Sequence, residues 1–325
     1  MKIKNIAILT SGGDCQGMNT AINIIVRVAI ERNYNVFGIM RGFRGLFEDD
    51  FVVLDNKKIA NISSLGGTIL KTSRFVEFKQ DSIVKKCAVI LKKNKIDVLI
   101  VIGGDGSYKG ALALAKEGIK VICIPGTIDN DLRYTNRCLG FDTAVNNACQ
   151  YIENVKQTMD SMSRGVVFEV MGRECGDIAL YSAISTACDY LAVPEKPITE
   201  NEFVKQVKLS IKQKNKPPMV VIAEKMFDVV ALSQRLSRET NIEFKYSIVG
   251  YIQRGGSPSV ADKALATQFG VRTIELIEKG IFNKAVGYKD GKIFEVDLDK
   301  VFNSDYDFDY DLLNIFYQLN SHKKQ

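Results

Sequence analysis

The chain has 325 residues, 46% of them hydrophobic and 25% charged, with six prolines and a formal net charge of +6. This balance excludes a disordered or fibrous protein and supplies enough apolar material for two packed lobes. The densest basic stretch, VKQVKLSIKQKNK at 204–216, has lysines at helical spacing with no interleaved aromatics, so it reads as a solvated helix face and no nucleic-acid partner is expected.

The chain begins MKIKNIAILTSGG, where glycines cut off the apolar run too early for a signal peptide. No other stretch approaches the length of a membrane span, so a cytoplasmic location off the bilayer is expected. NIAILTSGGDCQGMNTAINIIVRVAI reads as strand, glycine-rich turn, helix. Its glycines 12, 13 and 17 could turn backbone N–H groups toward a phosphate, or could serve only close packing of strand on helix. The order strand, turn, helix recurs in VLIVIGGDGSYKGALALAKEG, in GVVFEVMGRECGDIALYSAISTAC and in SIVGYIQRGGSPSVADKALATQFGVRTIELIEKG. Such alternation predicts a mainly parallel sheet with helices on both faces. FDTAVNNACQYIENVKQTMD (141–160) predicts a helix capped by Asp142, NKPPMVVIAEKM a turn into a buried strand, and the tail a short helix after an acidic Tyr/Phe run. Domain boundaries are expected near residues 140 and 250. The seven cysteines (15, 87, 123, 138, 149, 175, 188) contain no C-x-x-C and read as reduced thiols.

Chemistry concentrates in two loops. GGDGSYKG (103–110) has the wrong spacing for a dinucleotide fingerprint and places Asp105 where a pyrophosphate would be repelled. Asp105 reads either as a Mg²⁺ ligand in a nucleotide site or as the cap of a helix beginning near Ser107. PGTIDND (125–131) brings Thr127, Asp129 and Asp131 together. Phosphoryl transfer to an alcohol needs a carboxylate for the hydroxyl proton, a cation and donors for the moving group, and these residues meet that need. An Asx-type turn with solvated acids is the competing reading. What favours chemistry is that both loops end strand-like runs expected to be neighbours. The only histidine, His322, lies in the tail, so histidine catalysis is not expected. Arg74, Arg164, Arg173 and Arg254 lie beside glycines or at the ends of apolar runs, where loops could aim them at phosphates.

TSGGDCQGMN, GGT at 66–68 followed by Arg74, GGDGS, PGTIDND, MGRECGD (171–177) and QRGGSP (253–258) occur in an order that resembles bacterial ATP-dependent 6-phosphofructokinases over nearly the whole chain. The resemblance implies a two-lobed α/β fold of mainly parallel sheets with the active site between the lobes. It implies a nucleotide lobe of 1–140 and 253–303, a sugar-phosphate lobe of 141–252 and 304–325, and a homotetramer with active sites shared between subunits. The implied substrates are ATP, with Mg²⁺ held by Asp105, and fructose 6-phosphate. By the same resemblance Asp129 is the base, with Thr127, Arg74 and Arg173 in catalysis. Gly12, Arg74, Phe75, Gly104, Asp105, Gly106, Ser107 and Gly110 hold the nucleotide. Thr127, Asp129, Asp131, Arg164, Met171, Gly172, Arg173, Glu224, Lys245, Tyr251 and Arg254 hold the sugar phosphate, Arg164 reaching in from a neighbouring subunit.

The chain departs from the family where Lys245 and Tyr251 replace an arginine and a histidine expected at the sugar 6-phosphate. In the implied effector pocket, basic positions have become Asn23, Asn56, Gln213 and Asn215, while Arg27, Lys156 and Asp189 remain polar or charged. Control by ADP or phosphoenolpyruvate is therefore expected to be weak. Two other readings stay open on sequence: a kinase of the NAD or diacylglycerol class, which shares GGDG, and a non-catalytic nucleotide or sugar-phosphate sensor.

Overall fold

The computed structural model describes residues 3–214, 217–303 and 307–320. In chain order the elements are β1 (Asn5–Ser11), α1 (Met18–Glu31), β2 (Asn35–Ile39), α2 (Gly42–Phe47), β3 (Phe51–Val53), α3 (Asp81–Lys93), β4 (Val98–Gly103), α4 (Asp105–Lys116), β5 (Val121–Pro125) and α5 (Phe141–Ser161). There follow β6 (Gly165–Val170), α6 (Asp177–Ser185), β7 (Tyr190–Ala192), α7 (Glu200–Lys214), β8 (Met219–Ala223), α8 (Val229–Thr240), β9 (Phe244–Ile248), α9 (Val260–Glu278), β10 (Lys284–Lys289), β11 (Lys292–Asp297) and α10 (Tyr310–Asn320). The chain divides into two compact units, one running to Thr143 and from Arg254 to Asp307, the other from Ala144 to Gln253 and from Phe308 on.

Among the described residues the first unit builds a seven-stranded sheet in the order β11-β10-β5-β4-β1-β2-β3. Its centre is parallel, and both edges, β3 and β11, are antiparallel. The unbroken apolar runs of β1, β4 and β5 follow from burial on both faces, since a parallel sheet flanked by helices leaves no strand face in water. Ala7, Leu9, Leu99, Val101, Val121 and Cys123 share one core with Phe43 and Leu46 of α2, Val84 and Leu91 of α3, and Ala111 and Leu114 of α4. α1 and α9 pack on each other and reach strands β2 and β10.

The second unit has a four-stranded parallel sheet, β7-β8-β6-β9. Val167, Val220 and Ile222 meet Phe203, Val204 and Val207 of α7 and Leu232 and Leu236 of α8 in its core. The cysteines are free thiols, and no described helix is long and apolar enough to cross a membrane.

Two local expectations need correction. Asp142 does not stand at the cap position of α5: it lies inside the first turn, where the Thr143 N–H donates to Asp262, 119 residues away. Nor does Asp105 cap α4. The helix starts at Asp105 itself with Gly104, which has no side chain to offer, at the cap position, and the Asp105 carboxylate turns along the helix to Lys109 at 2.7 Å.

Candidate active site

In the first unit, strand pairing gathers the polar loops. β4 and β5 run side by side with Gly103 opposite Pro125, and β1 lies on the other side of β4 with Ser11 opposite Gly103. TSGGD, GGDGS and PGTIDND therefore leave the sheet at one edge, the carboxyl ends of its parallel strands, where open α/β sheets bind ligands. The glycine at 103 is required by closeness: a Cβ there would lie 2.4 Å from the Ser11 carbonyl oxygen and 2.5 Å from Ser107 Oγ. Gly12, left-handed at φ 87°, faces the same Ser107, and Gly104 lies in ordinary contact with Thr127. At Gly106, by contrast, a Cβ would meet nothing within 4 Å.

From Gly126 to Leu132 burial alternates, so that Gly126, Ile128, Asn130 and Leu132 point inward and Thr127, Asp129 and Asp131 share the half-buried side. The Asp129 amide donates to Thr127 Oγ1 at 3.2 Å. Asn130 makes this possible. It sits at φ 54°, in the left-handed region that asparagine tolerates, and its buried amide donates to the Asn136 carbonyl at 3.1 Å and accepts from the Cys138 N–H at 2.9 Å. The acids are thus presented by a loop whose middle residue is nailed to the segment behind it. The loop is a side-chain-braced turn that places two carboxylates on one side.

Arg254 closes this edge from the other end of the sequence. Its guanidinium lies over Gly13, where a Cβ would be 2.1 Å from one terminal nitrogen, and its Nε is buried with no hydrogen-bond partner among the described residues. Next to it the Gln16 side chain donates to the Gly255 carbonyl at 2.7 Å. Thr68 of the GGT segment bonds Thr10 at the end of β1, 3.0 Å apart, which brings the 66–74 segment to the same strand end. Arg74 is exposed and makes no ion pair among the described residues. Phe75 packs against Phe47 and Phe78, and Gly110 is buried against the Phe43 and Phe78 rings. Behind the loops, burial pushes the Cys15 thiol well up; Asp262, Asp14 and Asp129 add to the effect and Arg254 opposes it.

In the second unit, β6 and β8 are paired with Val170 opposite Ala223, which sets MGREC beside Glu224. Glu224 Oε1 accepts the N–H groups of Gly172 and Arg173, and the Met171 N–H donates to Gln253. Glycine is needed at 172, where φ is 147° and a Cβ would strike the Cys175 carbonyl at 2.3 Å. Arg173 is exposed and itself left-handed, at φ 61°. Glu169, half-buried on β6, has its carboxyl pushed up by burial and further by Glu224 and Asp228.

Arg164 and Lys245 are not brought to this end. Both pair with Glu243, Lys245 at 2.8 Å, at the opposite end of β6, a strand whose six residues span about 20 Å. Tyr251 is 80% exposed. Among the implied effector positions, Asn23 is buried and donates to the Ile59 carbonyl at 2.8 Å, Asn56 and Arg27 are exposed, Lys156 donates to the Thr186 carbonyl, and Asp189 is buried and accepts the Met219 N–H. The Gln213 side chain, Asn215 and His322 lie outside the described residues.

Sequence reading passed over Asn130, Asp262, Glu169 and the bracing role of Glu224. Two of them carried a signal: Asn130 as the residue best suited to a left-handed turn position, and Ser259-x-x-Asp262 as a capping pattern ahead of a helix.

A family model described as Phosphofructokinase matches residues 5–277. The chain belongs to the phosphofructokinase family. An ATP-dependent 6-phosphofructokinase 1 of Clostridium perfringens is 39% identical over 98% of this chain and 100% of its own length. The ATP-dependent 6-phosphofructokinase of Clostridioides difficile is 43% identical over 91% and 93%. Among solved structures, a Saccharomyces cerevisiae phosphofructokinase superposes with a TM-score of 0.87 at 26% identity, covering 97% of this chain and 50% of that one, so the chain spans half its length. A pyrophosphate-dependent phosphofructokinase from Marinobacter aquaeolei shares the fold, with a TM-score of 0.83 at 19% identity over 94% and 86%.

Proposed function

We infer that the chain catalyses the reaction for which its curated relatives are named, transfer of the ATP γ-phosphoryl group to the 1-hydroxyl of fructose 6-phosphate, giving fructose 1,6-bisphosphate and ADP. The enzyme is an ATP-dependent phosphotransferase of glycolysis. The observation that carries the mechanism is the convergence of the three polar loops on one sheet edge, with Thr127, Asp129 and Asp131 presented on one side of theirs.

Asp129 takes the proton of the sugar hydroxyl as that oxygen attacks phosphorus. In-line transfer asks little covalent help, so the work of the remaining residues is to orient and to balance charge. Gly12, Gly104, Gly106 and Ser107 receive the triphosphate, and the open space at Gly106 suits a bulky nucleotide. Arg254, whose buried Nε has no protein partner among the described residues, and Arg74, exposed without an ion pair there, suit anionic groups better than a structural role does. Met171, Gly172, Arg173 and Glu224 form the sugar contacts, with Glu224 also fixing that loop.

Mg²⁺ would be held by the Asp105 carboxylate, half-buried at the start of α4 where it pairs with Lys109, together with phosphate oxygens and water. It would screen the phosphate charge during transfer. Tyr251 serves the sugar 6-phosphate, and Arg164, with Lys245 beside it on Glu243, serves that of a neighbouring subunit in a cytoplasmic homotetramer. That assignment is supported by the separation of Arg164 and Lys245 from Glu224 within one chain.

The test is Asp129→Asn in a coupled assay with ATP, Mg²⁺ and fructose 6-phosphate. The amide keeps the shape and loses the proton acceptor, so kcat should fall about 10²- to 10⁴-fold with both KM values within a few-fold. Near-normal turnover would remove Asp129 from the role, and absence of turnover in the unaltered chain would favour a sensor.

A further inference from the structure

Asp262 is 1% exposed, and its carboxylate stands at the centre of a hydrogen-bonded knot within the first unit. One oxygen accepts the Gly140 N–H at 3.0 Å; the other accepts the Thr143 N–H at 2.9 Å and the Thr143 hydroxyl at a short distance. The Asp262 N–H donates to Ser259 Oγ, the Ser259 N–H donates back to Thr143 Oγ1, and Ser259 Oγ donates to Asp142. Asp262 therefore ties two segments that lie more than a hundred residues apart in sequence.

Both segments lead to the site. On one side, Gly140 packs its backbone on Cys15, Leu139 donates to the Pro125 carbonyl at 3.0 Å and bridges Gly126, and Cys138 donates to Asn130, the inward anchor between Asp129 and Asp131. On the other side, Ser259 begins α9 just after the Arg254–Gly255–Gly256 turn, whose arginine lies over Gly13. A buried carboxylate with three donors is costly to desolvate, and helix packing alone would be met by an apolar residue.

We propose that Asp262 is a positioning residue for phosphoryl transfer: by clamping the Gly140–Thr143 turn to the start of α9 it fixes the backing of the Asp129 loop relative to Arg254. The proposal rests on Asp129 being the base. An amide at 262 offers one oxygen in place of two and turns an NH₂ toward N–H donors, so Asp262→Asn must open one side of the knot without changing its volume. Thr143→Val removes the hydroxyl alone, and Thr143→Ser keeps it.

These variants are made singly and in the Asp129→Asn background, and kcat and both KM values are measured. Asp262→Asn and Thr143→Val are expected to lower kcat about 10- to 100-fold with KM for ATP within about threefold, and Thr143→Ser to stay close to the parent. In the Asp129→Asn background Asp262→Asn should cost less than about threefold more, because the base it positions is already gone. Should Asp262→Asn fail to fold, Thr143→Val and its double variant carry the same comparison. Single variants with kcat within twofold of the parent, or an undiminished loss in the Asp129→Asn background, would overturn the proposal while leaving Asp129 as base. Full turnover by Asp129→Asn alone would overturn both.

Discussion

Gly106 offers a substitution in which folding and nucleotide use should move in opposite directions. It is the exposed second residue of α4, and a Cβ there meets nothing within 4 Å. Gly106→Asp therefore costs no steric clash. Replacing glycine in a helix recovers up to about 0.5 kcal/mol, and an acid in a first turn adds about 0.3–1 kcal/mol through the helix dipole, so the melting temperature should hold or rise slightly. The same carboxylate would stand beside the triphosphate. Two unit charges about 6 Å apart at an effective dielectric constant near 20 repel by about 3 kcal/mol, a factor of about 10² in kcat/KM for ATP. The assay is initial rate against ATP at saturating fructose 6-phosphate, with a thermal melt on the same preparation and Gly106→Asn as the uncharged control. Asparagine should keep most of the ATP affinity and so separate charge from bulk. A kcat/KM for ATP within about threefold of the parent in Gly106→Asp, with an unchanged melt, would show that the nucleotide does not pass Gly106.

Two further expectations concern other parts of the molecule. Glu169 has its carboxyl raised above the ordinary 4.5, by burial first and then by Glu224 and Asp228, so its ionised form works against the folded state. That penalty is absent below the unfolded value and sets in as pH rises through the raised folded one, so Glu169→Gln should melt higher than the parent at about pH 7 and nearly level with it at about pH 4. Equal melts at pH 7 would refute this. For regulation, Asn23 is committed to the Ile59 carbonyl at 2.8 Å and is only 8% exposed, so it cannot turn to an anion without stranding that carbonyl. Losing about 3 kcal/mol of charge-assisted bonds weakens an effector about 10²-fold, so millimolar ADP or phosphoenolpyruvate, at saturating ATP, should shift half-saturation by fructose 6-phosphate less than about twofold. A several-fold shift would show that Arg27, Lys156 and the amides suffice.

The architecture was legible wherever local pattern and tertiary placement coincide. VLIVIGG and KVICIPG read as neighbouring buried strands, and β4 and β5 pair in parallel with Gly103 opposite Pro125. Uninterrupted aliphatic runs can be satisfied only where helices cover both faces, so the pattern carries its own burial. The antiparallel edges were not legible in the same way, because β3 has three residues and β11 no buried one, too little periodicity to give direction. Caps failed for a different reason. A cap is a hydrogen-bond partner, and for α5 that partner comes from α9, which no window along the sequence contains.

The candidate site divides along the same line. Candidates such as Asp129 and Asp131, which flank an inward asparagine, could be picked out from residue type and spacing, while Gly104 and Gly106 at a strand end came from the resemblance. Residues that hold those groups in place could not, because their partners are remote. Glu224, named by resemblance for the sugar, shows its bracing role only when β6 lies beside β8 and its oxygen meets two N–H groups from residues 172 and 173. Gly126 makes the point in reverse. It stands in the loop that carries Asp129, yet a Cβ there would sit 3.0 Å from Ile102 and 3.3 Å from Met18, so glycine is favoured by the close packing of its own loop on β4 and α1. A side chain at 126 must displace core before it can obstruct a ligand, whereas one at 106 enters open space. Of the two glycines, only 106 can therefore report on the phosphoryl donor without first reporting on the fold.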